Sequence, residues 1–187
     1  DAETGTTGKA GSTATMLFDG TSSFKERFAL IEGARTSIHL QTFIFNDDET
    51  GRKTAKALAD AARRGVDVRV MYDPLGSHVT DEKLFDEMRA AGVKVLAPND
   101  PYAKPWTLNA RWHEKLLIVD GQAGITGGMN VGDEYAYGGS SVASVRSRDG
   151  GMDAPWRDTD VLVRGAAVGD MEEAFLKSWE TLGGKRE

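Results

Sequence analysis

Apolar residues recur at helical spacing from Ser22 to Ala34, where Phe24, Phe28, Leu30 and Ile31 share a side and Gly33 sits near the stop. From Ser37 to Asn46 the period changes to two. Ile38, Leu40, Thr42 and Ile44 alternate with His39, Gln41, Phe43 and Phe45, and both sets are largely apolar, which predicts a strand covered on both faces of its sheet. An Ala-rich amphipathic helix over 50–64, closed by Gly65, leads to a short apolar strand at Val66–Tyr72. Together these predict a right-handed βαβ crossover and parallel neighbours. Thr80 is placed to cap a helix through about Ala91, with Gly92 as its stop, and Val93–Ala97 is the next strand. Further strands are expected at Leu116–Val119, Ala123–Thr126 and Asp158–Val163, with a short turn or helix at Val131–Tyr135. The helix expected over Ala166–Leu182 carries Val168, Met171, Phe175 and Trp179 at core spacing.

The remaining stretches lack periodicity. Residues 1–15 are small and polar and read as a flexible leader, leaving 16–187 as a single domain. The loop 98–112 holds three prolines with Tyr102, Trp106 and Trp112, a pattern of either a lid or a packed connector. The Gly/Ser-rich 138–155, with Arg146 and Arg148, is expected to be a mobile loop. The composition, with 187 residues and 40% apolar, permits one sizeable core. A net charge of −6 argues against non-specific coating of nucleic acid, although a local basic cleft stays compatible with it. The absence of cysteine excludes disulfides and thiol catalysis and leaves the compartment undecided.

The densest chemistry lies in 111–130, RWHEKLLIVDGQAGITGGMN. His113 and Lys115 are two apart, so on extended backbone they leave the same face, one able to attack and the other to hold negative charge. Asp120 has the opposite parity and suits anchoring of the strand end better than contact with substrate. An imidazole beside an ammonium fits attack on a phosphodiester. Gly127-Gly128-Met129-Asn130 fits the same target, its glycines allowing backbone N–H groups near phosphate and the Asn130 amide able to donate. The plainer alternative is a charged loop entering an ordinary buried strand. His39 with Gln41 either lines a pocket floor or hydrogen-bonds within the sandwich, and His78 is either a rim residue or a solvated loop histidine. The three histidines lack metal-ligand spacing such as HExxH.

His113-x-Lys115-x4-Asp120 followed by Gly127-Gly128-x-Asn130 resembles the HKD motif of the phospholipase D superfamily. The flanks SIHLQTFIFNDDETG, RGVDVRVMYDPLGS, GDEYA and WRDTDVLVRGAAV resemble the first half of a bacterial cardiolipin synthase-type member, over roughly residues 16–182. Where many members carry Ser, this chain has Gly128, so a hydroxyl contact to phosphate is missing and backbone and Asn130 are left to supply it.

The resemblance implies an α/β fold, a phospholipase D-like α/β/α sandwich whose mixed, mostly parallel sheet is flanked by helices. It implies a phosphodiesterase or phosphatidyltransferase acting on phospholipid through a phosphohistidine, with catalytic His113, Lys115, Asp120 and Asp158. Phosphate would be bound by Lys115, Gly128 and Asn130, without metal or other cofactor. Asp158, or Asp160 as its fallback of equal parity, would orient the His113 ring. Because one imidazole cannot stand on both sides of phosphorus, the implied partners are a second HKD half, from a longer chain or a homodimer, and a membrane surface holding the substrate. The domain would then be half of a two-motif unit. A nuclease of the same superfamily and a catalytically incomplete binding or assembly domain remain the alternatives; nucleic acid is disfavoured by the acidic charge.

Overall fold

The computed structural model describes residues 10–98, 112–137, 145–146, 152–153 and 157–186. In chain order the elements are β1 (Thr13–Leu17), α1 (Gly20–Gly33), β2 (Ser37–Thr42), α2 (Glu49–Arg63), β3 (Asp67–Tyr72), α3 (Glu82–Ala90) and β4 (Lys94–Leu96). After these come β5 (Leu116–Val119), β6 (Ala123–Gly127), α4 (Asp133–Ala136), β7 (Val145–Arg146), β8 (Met152–Asp153), β9 (Asp160–Arg164) and α5 (Val168–Thr181). Seven strands form one sheet in the order β1-β9-β6-β5-β2-β3-β4, and β7 and β8 pair separately. The expected loop at 98–112 lies almost wholly outside the described residues, as does 138–155 apart from that pair.

The sheet is mixed, as expected, with a particular division. β2, β3 and β4 run parallel, β5 reverses, β6 returns, β9 reverses and β1 returns. Five strands thus share a direction, yet only β2–β3 and β3–β4 are parallel neighbours. The parallel part needs helical crossovers, which α2 and α3 supply, whereas β5 and β6 are joined by a tight turn.

Both faces are covered. Ile38 and Leu40 on one side of β2 join a core with Ile31 of α1, Ala55 and Leu58 of α2, and Phe85 and Met88 of α3. On the other side Met71 and Ile118 pack with Val168, Phe175 and Trp179 of α5. The apolar set expected for α5 therefore faces the sheet. His39 is buried there, stacked on Phe175 with ring centroids 4.7 Å apart, so of its two readings the structure takes the one inside the sandwich.

Element ends depart from the sequence reading for local reasons. β2 stops at Thr42 rather than Asn46 because Thr42 turns its hydroxyl onto the Ile44 carbonyl at 2.8 Å and the Ile44 amide donates to Asn130 Oδ1 at 3.0 Å. Asp81, not Thr80, caps α3 through the Lys83 amide, while the Thr80 hydroxyl donates to the Phe45 carbonyl. The leader expected over 1–15 ends too late, since Thr13–Thr15 pair with Leu162–Arg164 in β9. β1 is an edge strand with only Leu17 buried, and such a strand leaves no hydrophobic alternation to read.

The register defines one end of the sheet. Leu17 pairs with Asp160, Asp160 with Gly127, Thr126 with Leu116, Leu116 with Gln41 and Gln41 with Met71. Everything just beyond that row, including 112–115, 128–132 and 157–159, meets at the end where β2 and β3 finish. Crevices beyond strand carboxyl ends are where open α/β sheets bind ligands.

Candidate active site

His113 and Lys115 lie at that end, on the extended segment leading into β5. Their shared face, expected from spacing, is realised: Lys115 Nζ is 3.1 Å from His113 Nδ1 and donates to the His113 carbonyl at 2.6 Å. His113 is exposed, whereas Lys115 is only 4% exposed. Burial pulls the Lys115 pKa below its ordinary value, and the Asp158 carboxylate opposes that by favouring the ammonium.

Phe43 is the platform under the pair. Its ring centroid is 4.8 Å from that of His113, and Lys115 Nζ stands 5.5 Å over the same ring. Phe43 is fixed in turn from below, because Gly76 packs so close to the Phe43 carbonyl that a Cβ would sit 2.3 Å from it. Sequence reading gave Phe43 to the sheet interior, within a strand expected to run to Asn46; only the earlier end of β2 at Thr42 frees it for this place. Glu114, of opposite parity, accepts from Gln41 Nε2 at 3.0 Å and fastens the segment to β2. His78 is exposed in the turn after β3, its Nδ1 2.8 Å from the Leu75 carbonyl oxygen.

Asp120 is not brought to this cluster. It lies at the opposite end of β5, where its carboxylate accepts from the amides of Arg35, Thr36 and Ser37 and from the Thr36 hydroxyl, all at 2.7–3.2 Å. Burial acts to raise its pKa, but the Ser37 and Thr36 hydrogen bonds outweigh that and hold it below the usual carboxylate range. Asp120 and Gly121 have φ of 54° and 61°, and the Gln122 amide bonds back to the Val119 carbonyl at 3.0 Å. This is the Asp-Gly hairpin turn with both central residues left-handed.

Asp158 does reach the cluster end, but as a neighbour of Lys115 rather than a partner of the ring. Its Oδ1 accepts from the Thr159 amide at 2.8 Å, and the carboxylate lies where a Cβ on Gly128 would be, 2.1 Å from Oδ1. The expected hydrogen bond from Asp158 to His113 is therefore absent, and the fallback fails as well. Asp160 is fully buried, accepting from Ser23 Oγ, from Arg27 Nη2 at 2.8 Å and from the Met129 amide at 3.4 Å. Arg27 also donates to the Met129 carbonyl at 3.0 Å. Sequence reading missed Arg27 because a charged residue inside a helical repeat reads as solvated, whereas here a buried carboxylate compensates it.

The Gly127–Asn130 stretch differs from the expected anion cradle. The Gly128 amide donates to the Thr159 carbonyl at 3.2 Å and the Met129 amide to Asp160, so those donors are already used. The glycines serve the approach of β9: a Cβ on Gly127 would stand 2.4 Å from the Thr159 carbonyl oxygen. Asn130 is buried, its Oδ1 accepting from Ile44 N and Thr42 Oγ1, and it hydrogen-bonds Tyr135 as well. It braces the loop after β2 instead of facing outward. Among the described residues no group of three or more His, Asp or Glu side chains converges as a metal-binding set.

Similarity to known proteins agrees with this architecture. The chain is 36% identical over 174 residues to the cardiolipin synthase of Geobacillus kaustophilus, covering 91% of this chain and 32% of that protein. It is 39% identical over 166 residues to the major cardiolipin synthase ClsA of Bacillus subtilis, covering 88% and 32%. The chain thus spans about a third of the length of the curated relatives it matches. Among solved structures, Nuc of Salmonella typhimurium, a phospholipase D family member, has a TM-score of 0.63 at 19% identity, covering 91% of this chain and 93% of Nuc. NucT of Helicobacter pylori has a TM-score of 0.67 at 16% identity, covering 93% and 99%. With residues 28–138 matching the family described as cardiolipin synthase, PLD-like domain, on this sheet and around this His-Lys pair, the chain belongs to that family within the phospholipase D superfamily.

Proposed function

We propose that this domain supplies one half of a phosphodiester-cleaving site, used for phosphatidyl transfer or hydrolysis of phospholipid through a phosphohistidine. The observation that carries the reading is the exposed His113 ring with a buried ammonium 3.1 Å from its Nδ1. A lysine held in a low-dielectric setting beside Asp158 is a strong neutraliser of phosphoryl oxygens, and an exposed imidazole is free to meet phosphorus.

The proton positions divide the work. With Nδ1 accepting from Lys115, a neutral His113 carries its proton on Nε2; to protonate a leaving alkoxide the ring must be an imidazolium, protonated on both nitrogens with Lys115 turned away from Nδ1. As nucleophile, the same ring needs Nε2 unprotonated, which follows once Lys115 turns from Nδ1 to a phosphate oxygen and Nδ1 takes the proton. In the first half-reaction an Nε2–P bond forms, the P–O bond to the leaving alkoxide breaks, and a second ring, held as imidazolium, protonates that oxygen and is left neutral. In the second, water or an alcohol attacks phosphorus, gives its proton to that second imidazole, and the N–P bond breaks. The second imidazole comes from another copy of the domain or from another half of a longer chain. The one-third span of the curated relatives is compatible with the latter, and the near-complete coverage of Nuc and NucT with the former.

The test is turnover of a soluble phosphodiester by the complete two-half assembly. His113→Ala should lower it by about 10³-fold or more, and Lys115→Met should lower it comparably without raising KM in proportion. His113→Ala activity near wild type would overturn the assignment. A strictly monomeric chain with full turnover would overturn the half-site, and full turnover with no phosphohistidine trapped on His113 would overturn the covalent step.

A further inference from the structure

In both states that the chemistry asks of His113, its hydrogen bond from Lys115 is broken. An imidazolium carries a proton on Nδ1, and so does a nucleophilic ring whose Nε2 is bare, so in neither can the Lys115 ammonium donate to Nδ1. Asp158 does not take over, since it accepts from the Thr159 amide instead. What stays against the ring is Phe43, centroid to centroid 4.8 Å away with the planes at 51°. That contact depends on no particular proton. A phenyl ring packs on a neutral imidazole and its face attracts a charged one, so the contact persists through both half-reactions.

Phe43 is held at this place and not in the core. It is half-buried and belongs to none of the apolar clusters among the described residues. Its backbone lies past the end of β2, without a ladder, yet it is fixed from two sides. From the turn after β3, Ser77 Oγ accepts from the Phe45 amide at 3.0 Å and donates to the Phe43 carbonyl at 3.4 Å, while the Thr80 hydroxyl holds the Phe45 carbonyl. From the stretch after β6, Asn130 Oδ1 takes the Ile44 amide, and Val131 exchanges backbone hydrogen bonds with Ile44 and Asn46 at 3.1 and 2.9 Å. Phe45 anchors the next position, fully buried edge-on to Phe85 with centroids 5.6 Å apart. Gly76 closes the mount, because a Cβ there would also stand 3.1 Å from Phe43 Cδ1.

We infer that Phe43 is the positioning residue of the site. Its ring fixes the plane of His113 and the seat of the Lys115 ammonium, 5.5 Å over the same ring, in the states in which the two no longer hold each other. The inference rests on the phosphohistidine reading of His113. It assigns Phe43 no contact with substrate: the residue acts through the imidazole, so its loss should be felt in the rate of the chemical step and not in binding.

The experiment compares wild type, Phe43→Leu and Phe43→Tyr by kcat and KM for a soluble phosphodiester in the complete two-half assembly, with circular dichroism for each. Beside it, the Cε1–H resonance of His113 is followed by NMR in the chain, whose three histidines make it assignable by its loss in His113→Ala. Phe43→Leu, equally folded, should lower kcat by about 10- to 100-fold with KM changed by less than about twofold, and Phe43→Tyr should recover most of that loss. The His113 resonance should move in Phe43→Leu, which removes the aromatic ring current, and stay near its wild-type position in Phe43→Tyr. A wild-type kcat in Phe43→Leu overturns the inference. A rise in KM that accounts for the whole loss overturns it as well, by making Phe43 a substrate contact, and so does a loss that Phe43→Tyr shares, by tying the effect to shape instead of the aromatic face. The resonance reads no turnover. Unmoved in Phe43→Leu while His113→Ala is inactive, it sinks this inference alone; moved while His113→Ala keeps full turnover, it leaves the ring contact standing and sinks the catalytic reading. If Phe43→Leu does not fold, Phe43→Met, also flexible and apolar, repeats the comparison.

Discussion

Asp120 is the residue whose position says most about the motif. Seven residues after His113, it sits a strand length away from it, and its carboxylate is spent on three successive amides and a hydroxyl at the start of β2. It also holds φ of 54°, which non-glycine residues other than Asn and Asp rarely adopt. Asp120→Ala should therefore cost about 2–3 kcal/mol of stability, since it loses the acceptor and keeps the strained backbone, while Asp120→Asn should cost about 1 kcal/mol. Chemical denaturation of the two variants checks the ranking. Turnover per folded molecule should be unchanged in both, and a loss in Asp120→Asn comparable to that of His113→Ala would return Asp120 to the chemistry. Opposite parity to His113 already separated Asp120 from the reacting face in the sequence, because period-two geometry is local. Its true partners were not legible, since Arg35–Ser37 are 83–85 residues away.

At the scale of elements, the junction of β6 with β9 explains the two glycines. A Cβ on Gly127 would meet backbone, 2.4 Å from the Thr159 oxygen and 2.7 Å from Asp160 Cα, and could be relieved only by parting the strands. A Cβ on Gly128 would meet the end of the Asp158 side chain, which can swing aside. Gly127→Ala should thus destabilise by roughly 2–3 kcal/mol or more, and Gly128→Ala by about 1 kcal/mol or less with a changed pH profile of turnover, because Asp158 moves relative to Lys115. Equal destabilisation by both would show that Asp158 is as fixed as backbone. The helices and strands themselves were largely legible, because their period was strong and their caps conventional. What sequence could not convey was the use of the glycines: a Gly-Gly pair after a strand permits close approach of phosphate or of another strand, and only the position of β9 decides. The same limit applies to Asn130, whose amide is equally able to face a ligand or to brace Ile44.

For the whole molecule, the packing of α5 against the sheet stores a pH response away from the site. His39 is buried beneath Phe175, its Nδ1 3.4 Å from Glu172 Oε1 without the alignment of a hydrogen bond, and it lacks another partner among the described residues. Burial, aided by Arg69, lowers its pKa from 6.5 to about 4. A neutral ring in the folded state and a protonating ring in the unfolded state mean that the unfolded chain binds more protons between those values. Stability is therefore fully present above about pH 6.5 and falls as pH drops toward 4, by up to roughly 3 kcal/mol. Melting temperature followed from pH 7 to 4 should show this decline, and His39→Phe should flatten it; an equally steep decline in His39→Phe would place the titration elsewhere.

The pairing of β1 with β9 has a temporal consequence. Thr13 finds its partner in Arg164, so the first described strand has no ladder until almost the whole domain has been made. At synthesis rates of about 5–20 residues per second, that leaves β1 unpaired for roughly 8–30 s, with its Met16 and the adjoining Phe18 in water. Its short length and its threonines keep that wait harmless, as edge strands must. The sheet gains this edge only when β9 has been made, and with it the end of the molecule that carries His113 is completed.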